Sequence, residues 1–308
     1  MTNKTKIVIA GIGGVGGYFG GLLAKSYAGN DNIEIYFIAR GKHLEKIESN
    51  GLKVIKGDIE FVAKPHLATN DVAKIGAADY IMISTKNYDL VEMLNQLSPC
   101  VTANTVILPL LNGVEAVEKI RTQFPNNLVP AGCAYIVSAI KEPGIVENMG
   151  NRQEIYFGLD NESDIRLSVL LDLFKSAGIE ATLSNEISKI IWEKFIFLSC
   201  IATATSYYDK TIGQLLQDHK NELLDLLKEV TNIAKAKNIT VDQNIGEKAM
   251  AHYSALPSSA TSSMHRDFQS GSSQTELQSI TGYVVKQAEK LNLKTPTFQK
   301  AYIALQSK

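Results

Sequence analysis

The sequence predicts an α/β domain followed by an all-helical one, and three observations carry that prediction. A strand, a glycine-rich turn and a helix follow one another at residues 4–24. Further short apolar strands alternate with helix-length segments up to about residue 184. Beyond it, long helical patterns run without strand signals. The 308 residues, 45% hydrophobic and 20% charged, suit two soluble domains, with the boundary near Ser184 giving domains 1–184 and 185–308.

The first element is the apolar run Ile7-Val8-Ile9-Ala10, a short buried strand. It enters Gly11-x-Gly13-x-x-Gly16 and then the uncharged segment Val15–Ala24, which continues as a helix. Gly11 allows the tight turn, Gly13 lets the backbone approach a pyrophosphate, and Gly16 brings the helix close to the strand. The helix N-terminus then offers free N–H groups to anionic oxygens, so Gly11, Ile12, Gly13, Gly14, Val15 and Gly16 are the candidate cofactor-binding turn of a Rossmann-type domain. Ile7–Ala24 holds eighteen residues without a charge, the length of a membrane span. Seven glycines in that window, no second span and no clear cleavage site argue against a span or a signal peptide.

A net charge of −1 gives no electrostatic case for nucleic acid or an anionic membrane as partner. Cys100, Cys133 and Cys200 lie far apart in apolar runs and read as reduced core thiols of a cytoplasmic protein. The five histidines show no metal-ligand spacing, so no metal is expected.

The second strand, Ile33–Ile38, ends at Ala39-Arg40-Gly41-Lys42. An NAD site would place a carboxylate here for the ribose hydroxyls. Arg40, with Lys42 close behind, favours the 2′-phosphate of NADP(H) by charge and by bidentate geometry, against the plainer reading of a surface arginine. Gly51–Lys64 alternates weakly, as a hairpin would. Tyr80–Ser84 and Thr105–Leu111 are further strands, and Lys86 and Asn112 fall at their carboxyl ends, where parallel sheets bind ligands. A solvated lysine and a simple Asn-Gly turn are the bland alternatives. Residues 130–158 read as strands broken at Pro143-Gly144 and Gly150-Asn151, followed by a helix at Ser163–Ala177 and a strand at Ile179–Leu183. Ile187–Tyr208, Asn221–Lys237 and Glu276–Leu291 are helical patterns, while serine-rich Ala255–Ser273 reads as a loop or broken helix.

GIGGVGGYFGG, IARGKH, STKNYD, LLNGVE, IWEKF, SSMHRD and QTELQSITGY occur in the order seen in ketopantoate reductases (2-dehydropantoate 2-reductases), and the resemblance spans nearly the whole chain. It implies NADPH and a small 2-oxo acid held in a cleft between the two domains, as in pantothenate biosynthesis, and a homodimer is compatible with it. By position, Lys194 resembles the family's catalytic lysine and Glu276 the acidic residue beside it. Ser263 resembles a substrate-binding serine, and Asn112 an asparagine at the nicotinamide end. Arg40 and Lys86 resemble residues on the adenosine side.

Lys194 suits that role on chemical grounds. Reduction of a ketone leaves an alkoxide that must be protonated, and an ammonium both donates the proton and stabilises the developing charge. Its neighbours Ile190, Ile191, Trp192, Phe195, Ile196 and Phe197 would lower its pKa. The competing reading is a lysine on a polar helix stripe, a claim that Glu193 could equally make. One departure from the family stands out. The two asparagines expected one and two turns after the lysine are Leu198 and Ala202 here, so the face above the acid is expected to be apolar, with Thr205 retaining a hydroxyl for substrate. A paralogue reducing a more apolar 2-oxo acid or ketone is therefore the first alternative. A non-catalytic NADPH-binding sensor is the second, and the retained Lys194, Ser263 and Glu276 speak against it.

Overall fold

The computed structural model describes residues 4–308, in two compact units: residues up to 112 with 116–187, and residues 113–115 with 188–308. The first unit runs β1 (Thr5–Ala10), α1 (Gly14–Ser26), β2 (Ile33–Ile38), α2 (Gly41–Asn50), β3 (Leu52–Lys56) and β4 (Ile59–Ala63). It continues with β5 (Leu67–Thr69), β6 (Tyr80–Ile83), α3 (Leu90–Leu97), β7 (Val106–Pro109) and α4 (Ala116–Gln123). It closes with β8 (Ala131–Glu142), β9 (Ile145–Gly158), α5 (Ile165–Ser176) and β10 (Glu180–Ser184). The parallel sheet has the order β5-β2-β1-β6-β7, with Ile7 opposite Ile35 on one side and Tyr80 on the other. Such strands, covered on both faces, are largely apolar runs, which is why the sequence pattern revealed β1, β2, β6 and β7, while the three-residue edge strand β5 was not anticipated.

A second sheet, β10-β9-β3-β4 with β8 paired to β9, was only half anticipated. The hairpin expected at Gly51–Lys64 is β3–β4, and Pro143-Gly144 is the turn between β8 and β9. Gly150-Asn151 does not break a strand, because β9 runs straight through it. Gly150 instead makes room for Val137 at the register shift between Ile136 and Ser138, the usual meaning of an isolated glycine in a strand.

Helix α1 lies between the two sheets. A Cβ at Gly20 would meet Ile9 and Phe37 of the parallel sheet, each at 3.1 Å, while Cβ atoms at Gly17 and Gly21 would press on Val146 and Val54 of the other. Burial on both sides explains the charge-free window without any membrane. Among the described residues no helix is long and apolar enough to cross one.

The second unit is helical: α6 (Ile187–Tyr208), α7 (Ile212–Asp218), α8 (Lys220–Ala236), α9 (Ile245–Ala255), α10 (Ser263–Gln269), α11 (Thr281–Lys290) and α12 (Pro296–Gln306). Trp192, Phe195, Leu226, Val230, Tyr253, Val284 and Phe298 form its core. Glu229 of α8 is buried but fully used, accepting the Thr297 and Phe298 N–H groups at 2.9 and 3.0 Å, where a carboxylate complements the helix dipole of α12. The serine-rich stretch contains α10. The pattern expected from Glu276 becomes a wide turn, with Ile280 N–H on the Glu276 carbonyl and Gly282 N–H on that of Leu277, before α11 begins.

Candidate functional site

Gly11 sits at φ +94°, a backbone state that L side chains avoid, and a Cβ there would lie 2.8 Å from Thr85. A Cβ at Gly16 would run into the Gly11 carbonyl oxygen, and one at Gly14 into that of Ser138. At Gly13 it would meet nothing within 4 Å. Gly13 is also the N-cap of α1, without a side-chain cap and without an acidic residue in the first turn. Open space before an uncapped helix N-terminus fits a pyrophosphate. The buried hydroxyls of Ser84, Thr85 and Ser138, beside this turn, have no partner within the protein.

Arg40 is the N-cap of α2, directly after β2, and its Nη2 is 2.9 Å from the Asp89 carboxylate. Asp89 lies beyond β6, 49 residues away in sequence, so nothing local in the chain announces the pair. The guanidinium stays 76% exposed, and an exposed pair of this kind is worth about 0–1 kcal/mol. An arriving phosphate can therefore draw Arg40 away. Lys86 is half-buried at the start of the turn that holds Asn87 and Asp89. Asn87 Nδ2 donates to the Asn112 carbonyl at 2.7 Å, linking the ends of β6 and β7. His43, within the IARGKH motif, is half-buried. Its Nδ1 accepts the Gly144 N–H at 2.9 Å, and burial pushes its pKa below the usual histidine range against the pull of the Ile12 carbonyl.

In the helical unit, Lys194 lies half-buried in the middle of α6. Trp192 and Phe195 flank it, packed edge to face at 5.7 Å, and Phe195 meets Tyr283 of α11 at 5.6 Å. Glu193 makes no rival claim, since its carboxylate accepts the Asp242 N–H at 2.9 Å. Glu276 is 3% exposed in the wide turn, and both it and Lys194 are engaged with neighbours. Ser263 is half-buried at the first position of α10.

The helix wheel sorts the remaining residues. At 3.6 residues per turn, Leu198 is about 40° round from Lys194, Ala202 about 80° and Thr205 about 20°. Leu198 is half-exposed on the lysine's side. Ala202 does not join that face: it is 1% exposed and packs with Met264, Leu277, Ile280 and Leu305. Thr205 keeps the right direction but is closed to a ligand, a correction to the expected substrate contact. It is fully buried, its hydroxyl donates to the Ile201 carbonyl at 2.7 Å, and Ser262 covers it at 2.8 Å. The three cysteines are free and buried. Among the described residues no group of histidine, cysteine, aspartate and glutamate is arranged to hold a metal ion.

A glycine turn of this geometry takes a dinucleotide and performs no chemistry itself; the turnover must come from the nicotinamide and a proton donor. That places the chain among the nicotinamide-dependent oxidoreductases. The comparisons narrow the class: residues 7–162 match the family "Ketopantoate reductase PanE/ApbA", and residues 186–308 its C-terminal counterpart. The chain belongs to the ketopantoate reductase family. It is 28% identical to the uncharacterized oxidoreductase YkpB of Bacillus subtilis, over 98% of each chain. It is 36% identical to the crystal structure of 2-dehydropantoate 2-reductase from Porphyromonas gingivalis W83, with a TM-score of 0.87 over 98% of this chain and 99% of that one. A D-mandelate dehydrogenase, solved with NADH and anilino(oxo)acetate, shares the fold at 23% identity and a TM-score of 0.86, over 98% and 97% of the two chains.

Proposed function

We propose that this protein is an NADPH-dependent reductase of 2-oxo acids, with 2-dehydropantoate the substrate that family membership puts first. The observation that carries the reading is Lys194, a half-buried cation in the middle of α6, where Lys189 is paired with the Asp242 carboxylate at 2.9 Å and Glu193 accepts the Asp242 N–H. The bound nicotinamide would supply the hydride. Lys194 would hold its ammonium against the carbonyl oxygen and pass it a proton as charge develops, and Glu276 would orient that ammonium. Ser263 would hold a polar group of the substrate, and Asn112 the nicotinamide end. The turn Gly11–Gly16 would bind the pyrophosphate, with Arg40 and Lys86 at the adenosine. Half-exposed Leu198 beside Lys194 favours a second reading, a 2-oxo acid with an apolar side chain. NADPH oxidation by the purified protein, screened over 2-dehydropantoate, 2-oxoisovalerate and phenylglyoxylate, tests both. Turnover of none of the three would refute the reductase.

The choice of NADPH over NADH rests on Arg40 and has its own test. One charge-assisted contact to a phosphate is worth about 1.5–3 kcal/mol, so Arg40→Ala is expected to shrink the NADPH preference by roughly 10- to 150-fold. Asp89→Asn, which releases the guanidinium, is expected to widen it. Equal affinity of the unmutated protein for both cofactors, measured by fluorescence titration, would rule the assignment out.

A further inference from the structure

A chain of polar groups, running from an exposed carboxylate to buried hydroxyls, joins the end of α6 to the start of α10. Asp209, just past α6, has φ +53°, a left-handed backbone that aspartate tolerates better than most residues. Its Oδ1 lies 2.7 Å from His265 Nε2 and also accepts from Gln269 Nε2 at 3.2 Å. The carboxylate is exposed, whereas the imidazole it holds is 3% exposed. In the tautomer that donates Nε2–H to Asp209, Nδ1 is left to accept the Thr261 hydroxyl. The His265 backbone N–H donates to Ser262 Oγ at 3.0 Å. The Ser262 hydroxyl meets Thr205 Oγ1 at 2.8 Å, and Thr205 donates onward to Ile201. Every proton in the chain has one acceptor. Ser263, the next residue after Ser262, opens α10.

We propose that His265, held by Asp209, is a positioning residue that sets Ser263 in register with the helix carrying Lys194. Two strands of argument support it. The network contacts α6 at Ile201 and Thr205 and the residue just past its end, Asp209, and it flanks Ser263 at the N-cap Ser262 and at His265 of α10. It also accounts for a buried histidine, a costly group to order unless both nitrogens are satisfied. Hydroxyl, imidazole and carboxylate stand in the order of a nucleophilic triad, but a ring only 3% exposed leaves no room for a substrate beside it and is placed for rigidity. The proposal rests on the reading of Ser263 as a substrate contact.

The test is a double-mutant cycle between His265→Phe and Ser263→Ala, read as KM and kcat for 2-dehydropantoate and as NADPH affinity. Where turnover is too low for KM, the affinity for oxamate, an unreactive 2-oxo acid isostere, is read by quenching of NADPH fluorescence. His265→Phe is expected to raise KM at least tenfold, with kcat and NADPH affinity within about threefold. His265→Gln, whose amide can still donate to Asp209, is expected to recover most of the loss. In the Ser263→Ala background, His265→Phe is expected to add less than twofold. An equal factor in both backgrounds, or an unchanged KM, overturns the positioning role. An unchanged KM for Ser263→Ala alone overturns instead the substrate reading on which the proposal stands. Asp209→Gly, which keeps the left-handed backbone and deletes the carboxylate, gives the same reading should His265→Phe fail to fold.

Discussion

Lys194→Met is expected to lower turnover on the best 2-oxo acid by at least about 10²-fold while leaving NADPH affinity within a few-fold. Methionine keeps the length and apolar body of the lysine stem, and the edge-to-face packing of Trp192, Phe195 and Tyr283 in the core of the helical unit does not depend on the ammonium. What is lost is the proton donor and the positive charge. General acid catalysis contributes about 10²–10⁴-fold, so a 10²-fold loss, about 2.7 kcal/mol of barrier, is the low end of the expectation. The fall should appear in kcat and in kcat/KM together, since the interaction is made with charge that develops in the transition state. Full turnover in the variant would make Lys194 an ordinary helix lysine and dismiss the mechanism.

The second large effect separates two positions that the sequence treats alike. Leu198 is half-exposed beside Lys194, so Leu198→Asn places an amide where a bound acid's hydroxyl or carboxylate can use it. A buried polar group left without a partner costs about 1–3 kcal/mol. The unmutated protein should therefore turn over 2-dehydropantoate less well than an apolar 2-oxo acid, and Leu198→Asn should improve kcat/KM on 2-dehydropantoate by roughly 5- to 150-fold. Ala202→Asn is expected to do something else. Its amide would enter the apolar cluster of Met264, Leu277, Ile280 and Leu305 and lower stability by about 1–3 kcal/mol, seen as a fall in Tm by calorimetry. A kcat/KM above about 10⁵ M⁻¹s⁻¹ for the unmutated protein on 2-dehydropantoate would show that other groups satisfy that substrate.

These two residues also mark how far a sequence can be read. Four of the five strands of the parallel sheet and its glycine turn were legible because a strand covered on both faces is largely apolar, and because only glycine serves at φ +94° or against a carbonyl. The second sheet was harder, since strands such as β3 and β4, covered on one face, keep Lys53, Glu60 and an exposed Val62 on the other. On α6 the helical period gave the direction of Thr205 correctly and still missed its fate. The period says where a side chain points, while the Ser262 that covers it arrives from 57 residues away. The ion pair between Arg40 and Asp89 escaped for the same reason, since its two members are 49 residues apart.

The placement of α1 between two sheets has a consequence for anyone wishing to borrow this nucleotide-binding half. In many proteins such a module can be trimmed to a few strands and helices and grafted elsewhere. Here the outer sheet is built from β3 and β4, inserted between the second and third strands of the parallel sheet, and from β8 to β10, which follow its last strand. A fragment ending at β7 would leave Gly17 without Val146 above it and α1 with a bare, uncharged flank open to water. Exposed flanks of that kind invite self-association. The smallest transplantable piece therefore extends to β10, and a shorter graft carries the dinucleotide turn without the wall that shapes it.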